Sequence, residues 1–225
     1  GVLRGLDIAN SADLKPLWDP YWNPLWEVIN ATGLPLHFHT VSGYVPEHIR
    51  KIQLIGGDPT RANLPGMPEV ELPVARAAFA SNITSFQMNM SNVLMSMIYS
   101  GVLERFPRIR LILGESGIGW IPYVLWRMDA EWEYQFKDLS LKLPPSDYWK
   151  RQCFATYQTD PIGVKLINEL GADRVMWGSD FPPPDGIWPD SQEYLKRELG
   201  GLPAAVRHKV VCDNAKRLYG FKDEG

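Results

Sequence analysis

The chain has 225 residues, 45% of them hydrophobic, enough for one sizeable core or two small ones. A net charge of −3, with 22% charged residues of mixed sign, excludes the basic surface of a nucleic-acid binder and a polybasic membrane anchor. No apolar run approaches the roughly 18 to 20 residues that span a bilayer, and the opening GVLRGLDIAN lacks the zones of a signal peptide. Cys153 and Cys212 are too few and too far apart for a disulfide framework or a zinc knuckle. They read as buried, reduced thiols of a cytoplasmic protein.

Five apolar runs read as strands: Arg4–Ala9, Leu34–His39, Ile109–Gly114, Cys153–Tyr157 and Val175–Gly178. After the first, DPYWNPLWEVINATG carries helix punctuation, with Asp19 as cap, Pro20 suited to a first position and Gly33 as stop. Residues 40–73 hold five prolines and four glycines with little periodicity, and are expected to form a long loop. An apolar helical pattern follows over about Val74 to Phe106, its Met-rich middle best explained as core. A second runs from about Gly119 to Phe136, then a shorter connection over 137–148. PIGVKLINELG and PAAVRHKVVCDNAKRLYGF supply the later helices. Strands alternating with helices imply parallel pairing through right-handed crossovers, within one α/β domain spanning residues 1–225.

In parallel α/β folds the working groups sit where strands end. The first strand has Asp7 inside its exit at Ile8–Asn10, and the second ends in His37-Phe38-His39. The third reaches Glu115, the fourth passes Gln158, Thr159 and Asp160, and the fifth reaches Asp180. Each has a plain structural explanation. A buried histidine is usually a satisfied core residue, Glu115 would favour a following helix N-terminus, and Asp180 would serve as a turn residue. Together they ask for more, because buried acids are costly unless paired or coordinated. His37 and His39, two apart, share one strand face, where a single ion can take both.

Several segments together resemble a family. GLPLHFHT, GVLERFPRIRLILGESGIGWIP, VMWGSDFP and the closing DNAKRLYGF are similar to the amidohydrolase-related metal-dependent TIM-barrel enzymes, the group with aminocarboxymuconate semialdehyde decarboxylase and resorcylate decarboxylase. The resemblance implies a (β/α)8 barrel, of which this chain carries strands four to eight. It maps the family's fifth-strand metal histidine onto His39 and its eighth-strand aspartate onto Asp180. The sixth-strand metal histidine is here Glu115, the position after the SDxP motif is Pro183, and no His-x-His pair precedes the first strand.

What the resemblance implies is a metal-dependent hydrolase of a small, carboxylate-bearing molecule, with Zn²⁺ or Mn²⁺ held by His39, Glu115 and Asp180, and more weakly by His37. Asp180 would also carry the proton. An oxygen donor at Glu115 tilts the site toward harder ions. Tyr157 and Trp188 are candidate walls for the substrate. Non-oxidative decarboxylation, with Asp180 delivering a proton to carbon, is the alternative. A barrel that has lost its metal and serves as a binding module is the third reading, supported by the missing histidine pair and Pro183. Five strands leave open edges, so a homo-oligomer is expected.

Overall fold

The computed structural model describes residues 2–4, 15–40, 46–182 and 186–222. Asp7, Ile8–Asn10 and Pro183 lie outside them. Five parallel strands form one sheet whose spatial order equals the chain order: β1 (Val2–Arg4), β2 (Pro35–His39), β3 (Arg110–Gly114), β4 (Cys153–Tyr157) and β5 (Val175–Trp177). The fold is the α/β TIM-barrel type, present here as an open five-stranded segment among the described residues.

The helices follow from local chemistry. Asp19 caps a short 3-10 turn, accepting from Tyr21 N at 2.8 Å, and α1 (Asn23–Thr32) stops at Gly33, whose φ of 65° is the left-handed conformation glycine allows. The expected helical stretch after residue 74 is cut into α3 (Leu72–Ser85), α4 (Met90–Tyr99) and α5 (Val102–Arg105). Met90, Leu94, Met97 and Ile98 recur at helical spacing on the buried face of α4, and Ile121, Leu125, Met128 and Trp132 do so on α6 (Ile121–Gln135). The helix α7 (Pro145–Gln152) starts at a proline, as its missing N–H permits. The short α8 (Pro161–Lys165) and α9 (Ile167–Leu170) follow β4. Beyond β5 come α10 (Ser191–Leu199), α11 (Ala204–His208) and α12 (Asn214–Tyr219).

Two expectations are corrected here. Residues 40–73 are not one long loop: they carry α2 (Glu47–Gly57) and a 3-10 turn over Pro59–Asn63. Gly56 lets α2 meet α3, because a Cβ there would lie 2.0 Å from the Ala75 carbonyl oxygen. Cys212 is exposed rather than buried; Cys153 is buried, and the two are not linked. Among the described residues no helix is long and apolar enough to cross a membrane.

Candidate active site

The two faces of the sheet sort the candidate residues. Leu36, Phe38, Leu111, Leu113, Cys153, Ala155 and Tyr157 point into the main core beneath the helices. Ile112, Phe154 and Met176 point the other way and cluster with Leu218 of α12. His37 pairs in register with Ile112, so His37 and His39 share this second face.

They sit at different depths. The His37 ring stacks on Tyr219, with centroids 5.6 Å apart and 14° between planes, and its Nε2 lies 3.0 Å from the Tyr219 hydroxyl. Burial pushes its imidazole below the ordinary value. His37 is thereby tied into the packing of α12. His39 is the last residue of β2, its side chain 48% exposed, and its Nε2 stands 2.8 Å from Glu115 Oε2.

That contact can be read chemically. His39 Nδ1 lies 3.0 Å from the Thr40 carbonyl oxygen and 3.4 Å from Thr40 Oγ1, so Thr40 holds the ring while Nε2 is aimed at a carboxylate oxygen. An imidazole nitrogen and a carboxylate oxygen placed side by side would together hold a divalent cation, and a carbonyl behind the second ring nitrogen is how metal-bound histidines are commonly oriented.

Glu115 follows β3 with a φ of 55° and a side chain 18% exposed. Its N–H donates to Thr156 Oγ1 at 2.7 Å, and Ser116 N–H donates to the Thr156 carbonyl at 3.0 Å, so β4 holds the turn. The loop beyond is pinned by Asp160. Its Oδ2 accepts from Ile118 N and Gly119 N, each at 2.7 Å, while Oδ1 accepts from Gly163 N at 2.7 Å. Asp160 N–H donates in turn to Glu198 at 3.0 Å. Thr156 and Asp160 therefore position Glu115. The Asp-Pro step at 160–161 is an N-cap signature open to sequence reading; the bonds back to residues 118 and 119 are not.

Asp180 stands three residues past β5 with a φ of 53°. Glu115 and Asp180 thus share the left-handed backbone region, which costs a non-glycine residue about 1–3 kcal/mol and clusters at functional sites. Asp180 does not close with His39 and Glu115 into a set whose donor atoms all lie within 4.8 Å of one another. Tyr157 is 1% exposed and packs on the helix side of the sheet, opposite His39. Burial, followed by the charges of Glu198 and Asp160, pushes its phenol above the ordinary range. Trp188 is 62% exposed and meets Phe181 edge-on, with 5.1 Å between ring centroids.

Known proteins supply the context for this arrangement. Gamma-resorcylate decarboxylase of Rhizobium sp. (strain MTP-10005) is 30% identical over 135 residues, covering 55% of this chain and 38% of that protein. The crystal structure of 5-carboxyvanillate decarboxylase LigW from Sphingomonas paucimobilis superposes with a TM-score of 0.69 at 25% identity, covering 98% of this chain and 58% of that one. A dihydroxybenzoic acid decarboxylase from Polaromonas sp. JS666, solved with manganese and the inhibitor 2-nitroresorcinol, gives a TM-score of 0.67 at 21% identity, covering 95% of this chain and 58% of that one. The chain thus spans well under two thirds of the length of these relatives. The family described as Amidohydrolase matches residues 3–221. With the match running through β2 to β5 and every strand exit considered above, the chain belongs to the amidohydrolase family.

Proposed function

We propose that this chain carries the site-bearing part of a metal-dependent, non-oxidative decarboxylase of small aromatic carboxylates. Decarboxylation takes precedence over the hydrolysis first expected, because most of the named relatives it resembles are decarboxylases, of resorcylate, carboxyvanillate and dihydroxybenzoate, against one hydrolase, of 4-sulfomuconolactone. The observation that carries the metal is the 2.8 Å approach of His39 Nε2 to Glu115 Oε2 at the carboxyl edge of a parallel sheet. A divalent cation held by His39 and Glu115, Mn²⁺ by the harder oxygen donor, would supply positive charge for a substrate carboxylate or phenolate. Asp180, on the same edge, acts as the proton carrier.

The chain's own part is positioning and proton transfer. Thr156 and Asp160 hold the Glu115 turn, and the Thr40 carbonyl holds the His39 ring. Asp180 in its acid form gives a proton to the ring carbon that bears the carboxylate. The bond to the carboxylate carbon then breaks, its electron pair restores the aromatic ring, and carbon dioxide leaves. Asp180, now a carboxylate, recovers its proton from water. Removing this acid should lower the rate by on the order of 10² to 10⁴.

The test incubates purified protein with Mn²⁺ and 2,6-dihydroxybenzoate or 5-carboxyvanillate and measures carbon dioxide. Wild type should release it, Asp180→Asn should lose most turnover with metal largely retained, and His39→Ala should lose both. Turnover that survives in His39→Ala, or accumulation of a hydrolysis product without carbon dioxide, would overturn the reading.

A further inference from the structure

Metal-binding side chains also converge away from the strand exits. His208, Cys212 and Asp213 offer ligand atoms that all lie within 4.8 Å of one another, the one such trio among the described residues. His208 Nδ1 stands 2.9 Å from Asp213 Oδ2. Both His208 and Cys212 are exposed, so a solvated ion has free access.

The backbone explains why these three meet. Residue 208 ends α11, and residues 212 and 213 close a five-residue π-helical turn over Lys209–Asp213. In a regular α-helix residues 208 and 212 stack, but residue 213, five steps of about 100° further on, points about 140° away. The wider turn, in which Asn214 N–H reaches the Lys209 carbonyl, needs more residues per revolution and swings residue 213 back over residue 208. The opposite side of the turn is anchored. Val210 is buried, and the Asn214 side-chain amide donates to the Ala172 and Val175 carbonyls at 2.7 and 2.8 Å. The neighbouring Arg207 guanidinium is occupied by the Leu202 carbonyl at 2.6 Å, so it is engaged away from Asp213.

We propose that His208, Cys212 and Asp213 form a second, surface metal site for one borderline-soft divalent cation, Zn²⁺ in preference to Mn²⁺. An imidazole, a thiolate and a carboxylate are all zinc ligands, and three of them leave a fourth tetrahedral position for water. A thiolate selects against hard ions, which separates this site from the His39–Glu115 pair. Binding replaces the Cys212 S–H proton by the metal and releases that proton to solvent. The metal would pin the π-helical turn that rests against β5.

A thiolate signature can come from Cys212 alone, because the other cysteine, Cys153, is fully buried in β4. Titrating purified protein with Co²⁺ should give a sulfur-to-cobalt charge-transfer band in the near ultraviolet, saturating at one equivalent and displaced by Zn²⁺. Cys212→Ser should abolish the band. His208→Ala and Asp213→Asn should weaken cobalt binding by about tenfold or more. His39→Ala should leave the band intact, which keeps this result independent of the decarboxylase assay. A second measurement follows alkylation of Cys212 in the folded protein, which Zn²⁺ should slow. No charge-transfer band at excess Co²⁺, or an alkylation rate indifferent to Zn²⁺, overturns the site.

Discussion

Asp160→Asn isolates the bonds that hold the Glu115 loop. The carboxylate accepts from Ile118 N, Gly119 N and Gly163 N, all at 2.7 Å. An asparagine keeps one oxygen. Turned toward Ile118 and Gly119, it retains two bonds but sets its amide against the Gly163 N–H, donor facing donor. Turned over, it loses two. The cheaper orientation forfeits one charge-assisted bond, about 1.5–3 kcal/mol, and weakens the others by removing the charge, so the total comes to roughly 3 kcal/mol. In a chain of 225 residues each kcal/mol moves the melting temperature by roughly 2–4 °C, so the variant should melt roughly 6–12 °C lower. Asp160→Ala, which loses all three bonds, should fall further. Thermal unfolding at pH 7 of wild type, both variants and the exposed control Asp138→Asn decides the matter. A fall of less than about 2 °C in Asp160→Asn, or one matched by the control, would refute the account of how the loop is held.

Other outcomes test neighbouring parts of the argument. Gly163→Ala places a Cβ 2.2 Å from Ile118 Cγ1 and 2.8 Å from Gly119 N, so overpacking should cost about 1–3 kcal/mol in urea unfolding; an unchanged midpoint would contradict that packing. Glu115→Gly frees the φ of 55° from its side chain but removes the carboxylate 2.8 Å from His39 Nε2, so bound Mn²⁺ should fall in equilibrium dialysis, and undiminished Mn²⁺ would exclude Glu115 as a ligand. Burial acts to raise the Glu104 carboxyl, but hydrogen bonds from Tyr148 and Lys142 and the charges of Lys142 and Arg151 outweigh it and hold it below its ordinary value of 4.5. A depressed acid stabilises the fold fully above its unfolded value and loses that contribution as pH falls through its folded one. The stability gap between wild type and Glu104→Gln should therefore narrow on acidification below 4.5, and a gap that widens would reverse the assignment.

The strands were legible because strands buried on both faces read as unbroken apolar runs between turn residues. Cys153–Tyr157 matches β4 at both ends, and Pro35–His39 starts one residue inside the expected run. The helix α2 was hidden because it is largely surface and framed by prolines and glycines, which mask its period. Residues after the proline-rich exit gave no sign of α10, whose sequence SQEYLKREL is polar and buries Leu199 alone. At the candidate site, the sequence order pointed to His39, Glu115 and Asp180. It could not reveal the tie between His37 and Tyr219, 182 residues apart, nor the bonds from Asp160 to residues 118 and 119. Those are side-chain contacts made across the fold, with no local pattern to announce them. The left-handed backbone at Glu115 was equally silent, since glutamate does not advertise it, whereas Asp180 is of a residue type enriched in that region.

Because sheet order repeats chain order, each strand finds the edge left by its predecessor and no later segment has to insert between two earlier ones. A chain leaving the ribosome from its N-terminus could build such a sheet by accretion, one strand and crossover at a time. The candidate ligands would then be acquired in sequence. The His39–Glu115 pair needs only β2 and β3, whereas Asp180 arrives with β5. A nascent intermediate halted before residue 175 would hold the His39–Glu115 pair without Asp180.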